Sequence, residues 1–250
     1  MTHPISKLSS ITKETKAFAA FKRLRFSAIL SLVVIGLASA PQAKASVIIN
    51  EIDSDTVGTD ILEFVELYDG GVGNTSLNGL VVVFFNGSSD TSYAAYDLDN
   101  FTTDNAGFFL LGNSGVGAVD IVFPSNGLQN GADAVGLYSG DDTDFPSGSP
   151  TSTTNLLSAI VYDTNDADDS GLLASLGVST QYNEDEQGDK DNHSLQFDGV
   201  STWAAGAPTP RAINFNAVPV PEPSTLALAG IGLVGVAAAA IRRRVHTSRK

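Results

Sequence analysis

Between Ser46 and Ala217 the chain alternates short apolar runs with clusters of Gly, Asn, Asp and Ser. Runs of this length, bounded by turn-forming residues, predict strands, and no sustained 3.6-residue period predicts a long helix. The runs are Val47–Ile52, Leu62–Tyr68, Gly79–Phe85, Tyr93–Leu98, Gly107–Leu111, Asp120–Phe123, Ala134–Tyr138 and Leu157–Tyr162. In Leu62–Tyr68 the two-residue period places Glu63, Val65 and Leu67 on one side, and Phe64, Glu66 and Tyr68 on the other. Gly79–Phe85 is apolar throughout, as a central strand buried on both faces should be, and Asn86-Gly87 after it signals a hairpin. The polar stretch from Asp163 to Asp191 predicts a long loop with one helical turn at Leu172–Leu176. Many short strands at this spacing define an all-β chain, with a β-sandwich as the expected architecture.

The two ends follow different patterns. At the N-terminus Lys16, Lys22, Arg23 and Arg25 precede the uncharged run Phe26–Ala40, and Ala43-Lys44-Ala45 offers a small-residue cleavage box before Ser46. That is the layout of a secretory signal peptide over residues 1–45, implying Sec-type export machinery and a signal peptidase as partners. At the C-terminus, residues 218–250 fall into three pieces. Pro219, Pro221 and Pro223 hold an extended segment that neither helix nor sheet absorbs. An apolar run over 225–241 follows, the expected transmembrane sorting helix, spanning roughly 24 Å from Leu226 to Ile241 at ~1.5 Å per residue, slightly short of a bilayer core. Arg242-Arg243-Arg244 then opens a basic tail (242–250) that the positive-inside rule keeps in the cytoplasm. Gly230, Gly232 and Gly235 fit a dinucleotide-binding fingerprint by letter, but a Pro-rich linker stands where its strand should be.

The order of Pro221-Glu222-Pro223-Ser224, apolar run and basic tail resembles the PEP-CTERM sorting signal of Gram-negative bacteria. The resemblance implies an exosortase-type membrane protease as partner. It also implies transient anchoring in the inner membrane, then a cell-surface or extracellular destination.

Removing both ends changes the charge picture. Of 28 acidic residues only Glu14 and Glu222 lie in the ends, whereas of 14 basic residues only Lys190 and Arg211 lie between them. The central domain, 46–217, therefore carries a net charge near −24, against −14 for the whole chain. Such a surface repels phosphate backbones, so nucleic acid is not an expected partner. With no cysteine, disulfides, thiolate catalysis and cysteine metal sites are excluded, and the apolar core alone must hold the fold.

Within that domain, Ile49-Asn50-Glu51-Ile52, Glu63–Tyr68 and Ser76–Leu80 resemble the opening of the lamin tail domain. Leu128–Val135 resembles its step into a late strand, and Ser194-Leu195-Gln196, Trp203 and Pro208–Asn214 resemble its closing segment. Phe197 and Arg211 stand where the family usually carries a basic residue and a glycine. The resemblance covers most of residues 47–214 and implies an immunoglobulin-like β-sandwich.

Candidate chemistry is sparse. Nucleophilic catalysis needs a base beside the nucleophile, and the central domain has one histidine, His193, in an acidic loop. No serine sits in a G-x-S-x-G elbow. Paired carboxylates could hydrolyse glycosides, yet with so many present pairing by itself discriminates nothing. Glu63 and Glu66, three apart in one strand, fall on opposite faces. Calcium is the better-supported ligand, because closely spaced carboxylates and hydroxyls suit a hard cation. Asp166-x-Asp168-x-Ser170-Gly171 reproduces half of an EF-hand loop, and with Asp163 it forms a candidate Ca2+ site, although Gly177 replaces the closing glutamate. Asp53-Ser54-Asp55 and Asp141–Asp144 are further oxygen clusters. The expectation is a non-catalytic surface or matrix module that binds exopolysaccharide or other surface proteins. The alternative is a secreted hydrolase acting on polysaccharide through carboxylates.

Overall fold

The computed structural model describes residues 46–218. Each run predicted as a strand forms one, displaced by two residues or fewer: β1 (Ile48–Asp53), β2 (Phe64–Tyr68), β3 (Leu80–Asn86), β4 (Thr91–Asp97), β5 (Phe108–Gly112), β6 (Ile121–Val122), β7 (Asp133–Ser139) and β8 (Leu156–Asp163). Three strands lie where the apolar pattern predicts none: β9 (Gln181–Asn183), β10 (Ser194–Phe197) and β11 (Trp203–Gly206). The strands make a six-stranded sheet, β11-β10-β1-β2-β5-β6, and a five-stranded sheet, β4-β3-β7-β8-β9. Neighbours are antiparallel except β5 with β6 and β8 with β9. Residues 46–218 thus form an all-β sandwich with one short helix.

The period of two decides which side chains fill the space between the sheets. Ile49, Val65, Leu67, Phe109, Leu111 and Leu195 come from one sheet, and Val82, Phe84, Val135, Leu137, Ile160 and Tyr162 from the other. Phe84 meets Phe123 edge-on at a centroid distance of 5.5 Å and lies 5.1 Å from Tyr96. The continuous apolar run of β3 has a separate explanation. Val81, Val83 and Phe85 point away from the main core and, with Ala134, Tyr138 and Val161, form a second cluster.

A short helix, α1 (Ser170–Leu176), covers that second cluster with Leu172 and Leu176, four residues apart and therefore on one helix face. Asp169 caps it by accepting from Gly171 N at 2.8 Å and Leu172 N at 3.0 Å. Gly177, with φ +68°, ends it in the left-handed conformation. The hairpin signalled by Asn86-Gly87 closes later than that pair suggests. Asn86 pairs with Thr91, and the left-handed residue of the connection is Asp90, at φ +53°.

Ser46 is exposed at the start of the described chain. The predicted signal peptide with Ala43 and Ala45, the motif Pro221 to Ser224 and the apolar run 225–241 lie outside the described residues. Among the described residues no helix is long and apolar enough to cross a membrane.

Candidate functional site

On the outer face of the six-stranded sheet, Glu51 of β1 stands directly opposite Glu66 of β2, and both are fully buried. The segment from Ala207 to Val218 lies over them as a strap. Thr209 donates to Glu51 through its amide at 2.7 Å and its hydroxyl at 2.8 Å, and Ser194 Oγ donates at 2.5 Å. Glu66 accepts from Asn50 Nδ2 at 2.8 Å and from the amide of Arg211. Asn214 Nδ2 donates to the carbonyls of Asn50 and Phe197, each at 2.8 Å. Burial raises both carboxyl groups against the pull of these bonds, Glu66 to about 8. Sealed beneath the strap, the pair offers no substrate access.

Arg211 explains why this position suits glycine: its φ is +59°. The guanidinium offsets the strain by bridging Asp104 at 2.9 Å and Asp120 at 2.5 Å while donating to the carbonyl of Ala118. Lys190, the other cation of the domain, is ion-paired with Asp55. Among the described residues both lysine and arginine charges are therefore engaged by carboxylates.

Two further glutamates staple loops to the sandwich. Glu63 accepts from the amides of Gly127 at 2.8 Å and Leu128 at 3.0 Å, and burial raises its pKa to about 7. Glu63 and Glu66 thus serve different segments and form no pair. Glu184 follows β9 of the five-stranded sheet and accepts from Ser54 N at 3.1 Å and Ser54 Oγ at 2.5 Å, just beyond β1 of the other sheet. It ties the two sheets together, and burial raises its pKa to about 8. Asp53 beside it is buried with Oδ1 unpartnered, and burial together with the Glu184 charge pushes it well up.

The candidate calcium ligands are not brought together. The Asp163 carboxylate closes its own loop, accepting from Asn165 N at 2.7 Å, Asp166 N at 3.0 Å and Gln181 Nε2 at 2.8 Å. Asp166 and Asp168 are exposed, and Ser170 opens α1 behind its cap Asp169. Among the described residues no three acidic or histidine side chains gather as a metal centre. Of the other oxygen clusters, Asp141 and Asp144 form a capping box on a single 3-10 turn, and Asp55 is paired with Lys190. His193 follows a second 3-10 turn; its Nδ1 is buried without a partner, so no nucleophile is held against that nitrogen.

A concave feature does occur where the two sheets meet at their β9 and β11 edges. It is a groove of about 340 Å³ walled by Tyr182, Phe197 and Trp203, with Ser179, Thr180 and Ser201 exposed at its rim. Trp203 lies 5.2 Å from Phe197 and 6.5 Å from Tyr182, tilted by 43° and 48°. The rings form a cup instead of a flat platform. The Asp198 carboxylate holds the rim turn by accepting from the amides of Val200, Ser201 and Thr202 at 2.8, 2.8 and 3.1 Å. None of the described residues lining the groove is charged. Sequence reasoning missed this site because β9, β10 and β11 are short, and Tyr182 meets the paired Phe197 and Trp203 only when the sheets stack.

Comparison with known proteins bears on the C-terminal end. Residues 219–244 match a family described as the PEP-CTERM protein-sorting motif. No curated protein matches the chain. The matched segment begins one residue past Val218, whose amide donates to the carbonyl of Asp198 at 2.9 Å. A motif of this class implies processing by an exosortase-type membrane protease, with export and transient membrane sorting to the cell surface.

Proposed function

We propose that this chain is an exported, non-catalytic binding module of the cell surface or extracellular matrix, delivered by its C-terminal sorting signal. In this reading residues 46–217 are a lamin-tail-like, immunoglobulin-type domain, and the ligand is exopolysaccharide or another matrix component. The observation that carries the proposal is the sorting-motif match at 219–244, directly behind the sandwich described over residues 46–218. The closed Glu51–Glu66 pair and the loop-holding roles of Glu63 and Glu184 support binding over hydrolysis, because these carboxylates act as hydrogen-bond anchors inside the fold.

The test is the intact mass and location of the protein in a producing strain with and without its exosortase. The expected product begins at Ser46, ends close to Pro221-Glu222-Pro223 and is found outside the cell. Without the protease the chain should keep residues 225–241 and fractionate with the inner membrane. A released product that retains those residues would refute this route.

A further inference from the structure

The groove at the β9–β11 edge has the makings of a ligand site. Its volume, about 340 Å³, lies at the small end of the range for small-molecule pockets. Its walls are apolar, three aromatic rings beside Ala159, Ile160 and Val178, and its rim is hydroxylic, a division that suits one chemistry. A pyranose ring presents C–H groups on its faces and hydroxyls around its edge. The faces pack on aromatic rings through apolar contact and weak C–H interactions, while the edge hydrogen-bonds to side-chain hydroxyls.

The electrostatics narrow the class. The central domain carries only Lys190 and Arg211 against its many carboxylates, and both are ion-paired away from the groove. The described groove residues are themselves uncharged. A uronate or sulfated sugar would enter an acidic field with no cation to receive it. A neutral sugar incurs no such penalty.

Ring geometry sets the number of units held. With Phe197 and Tyr182 tilted by 43° and 48° to Trp203, the three faces cannot all lie against one flat chain of sugars. Trp203 supplies the stacking face, and the other two close the sides around a single ring. The rim turn is pre-organised, because Asp198 holds three of its amides before any ligand arrives.

We infer that the Tyr182–Phe197–Trp203 groove binds one neutral hexopyranose unit of a polysaccharide, stacked on Trp203 and bordered by Ser179, Thr180 and Ser201. This deepens the matrix-binding reading and rests on it.

Trp203 is the chain's sole tryptophan, so its fluorescence reports on the groove alone. The full-length protein in mild detergent is titrated with neutral oligosaccharides of glucose, mannose and galactose, with oligouronates, and with a proline-rich peptide. The expected result is a saturable emission shift with a neutral oligosaccharide and none with the other two. Tyr182→Ala and Phe197→Ala should each weaken binding at least tenfold while each variant still unfolds cooperatively in urea. Trp203→Phe, read by calorimetry because the reporter is lost, should retain part of the affinity. No shift with any neutral sugar would overturn the inference, and so would preferential binding of uronate or peptide, or full affinity in Tyr182→Ala. Matrix retention that survives Tyr182→Ala would likewise overturn the groove assignment while leaving the broader function standing.

Discussion

Replacing Glu184 by glutamine tests whether the buried carboxyl groups make folding proton-dependent. Glu184 has a pKa of about 8 in the folded domain, against an ordinary value of 4.5, because burial disfavours its charge. Between those two values the unfolded chain is ionised and the folded chain is protonated, so folding takes up a proton. Stability is then fully present below about pH 4.5 and is lost as pH rises through about 8. The slope is about 1.4 kcal/mol per pH unit for one proton, hence on the order of 3 kcal/mol between pH 5 and pH 7. Glu63 and Glu66 are raised in the same direction and add to the trend. Glutamine preserves the local bonds: its Oε1 accepts from Ser54 N, and its Nε2 donates to Ser54 Oγ once that hydroxyl turns. The assay is urea unfolding of residues 46–218 at pH 5, 6, 7 and 8 and constant ionic strength. Wild type should lose stability steadily as pH rises, and Glu184→Gln should lose it less steeply, matching wild type near pH 5 and exceeding it at pH 8. Surface self-repulsion acts on both proteins, so the difference in slope isolates the buried proton. Identical slopes, or a wild type more stable at pH 8 than at pH 5, would refute the reasoning.

Other outcomes follow from the same structure. Glu51→Ala removes the acceptor for Thr209 and Ser194 and should cost about 3 kcal/mol or more in urea unfolding, with hydrogen exchange accelerating first in residues 207–217. Asp169→Ala deletes the cap of α1 and should cost about 1 kcal/mol, measured by thermal unfolding. Because the Asp163 carboxylate is engaged within its loop, millimolar calcium should raise the melting temperature no more than magnesium at matched ionic strength; a calcium-specific gain lost in Asp163→Ala would contradict this.

The strands are legible where an apolar run extends over four residues or more. Val81 to Phe85 pack on two different neighbours, and the uninterrupted apolar run announces it. β9 is three residues long, and its Gln181 is buried as a polar group, so nothing in local hydrophobicity marks it. Glu51 and Glu66 illustrate a deeper limit. Their polarity reads as solvent-facing, and only a strap from more than 140 residues away turns that face into interior. The Asp166–Gly171 pattern was a matter of competing uses for the same letters. Carboxylates spaced for a cation are also spaced to cap a helix, and the hydrophobic docking of Leu172 and Leu176 decided for the helix. The sorting motif matched at 219–244 is readable from sequence, since its order of proline motif, apolar run and arginines requires no tertiary context.

The strap also bears on when the domain can mature. Glu51 waits for Thr209 across 158 positions, and Asn50 waits for Asn214 across 164. A chain that emerges with its N-terminus first presents β1 almost at once, yet Glu51 lacks Thr209 and Asn50 lacks Asn214 until the final dozen residues of the domain appear. Non-local closures of this kind are slow to form. The strap contacts are therefore completed only by the residues that lie next to the sorting segment.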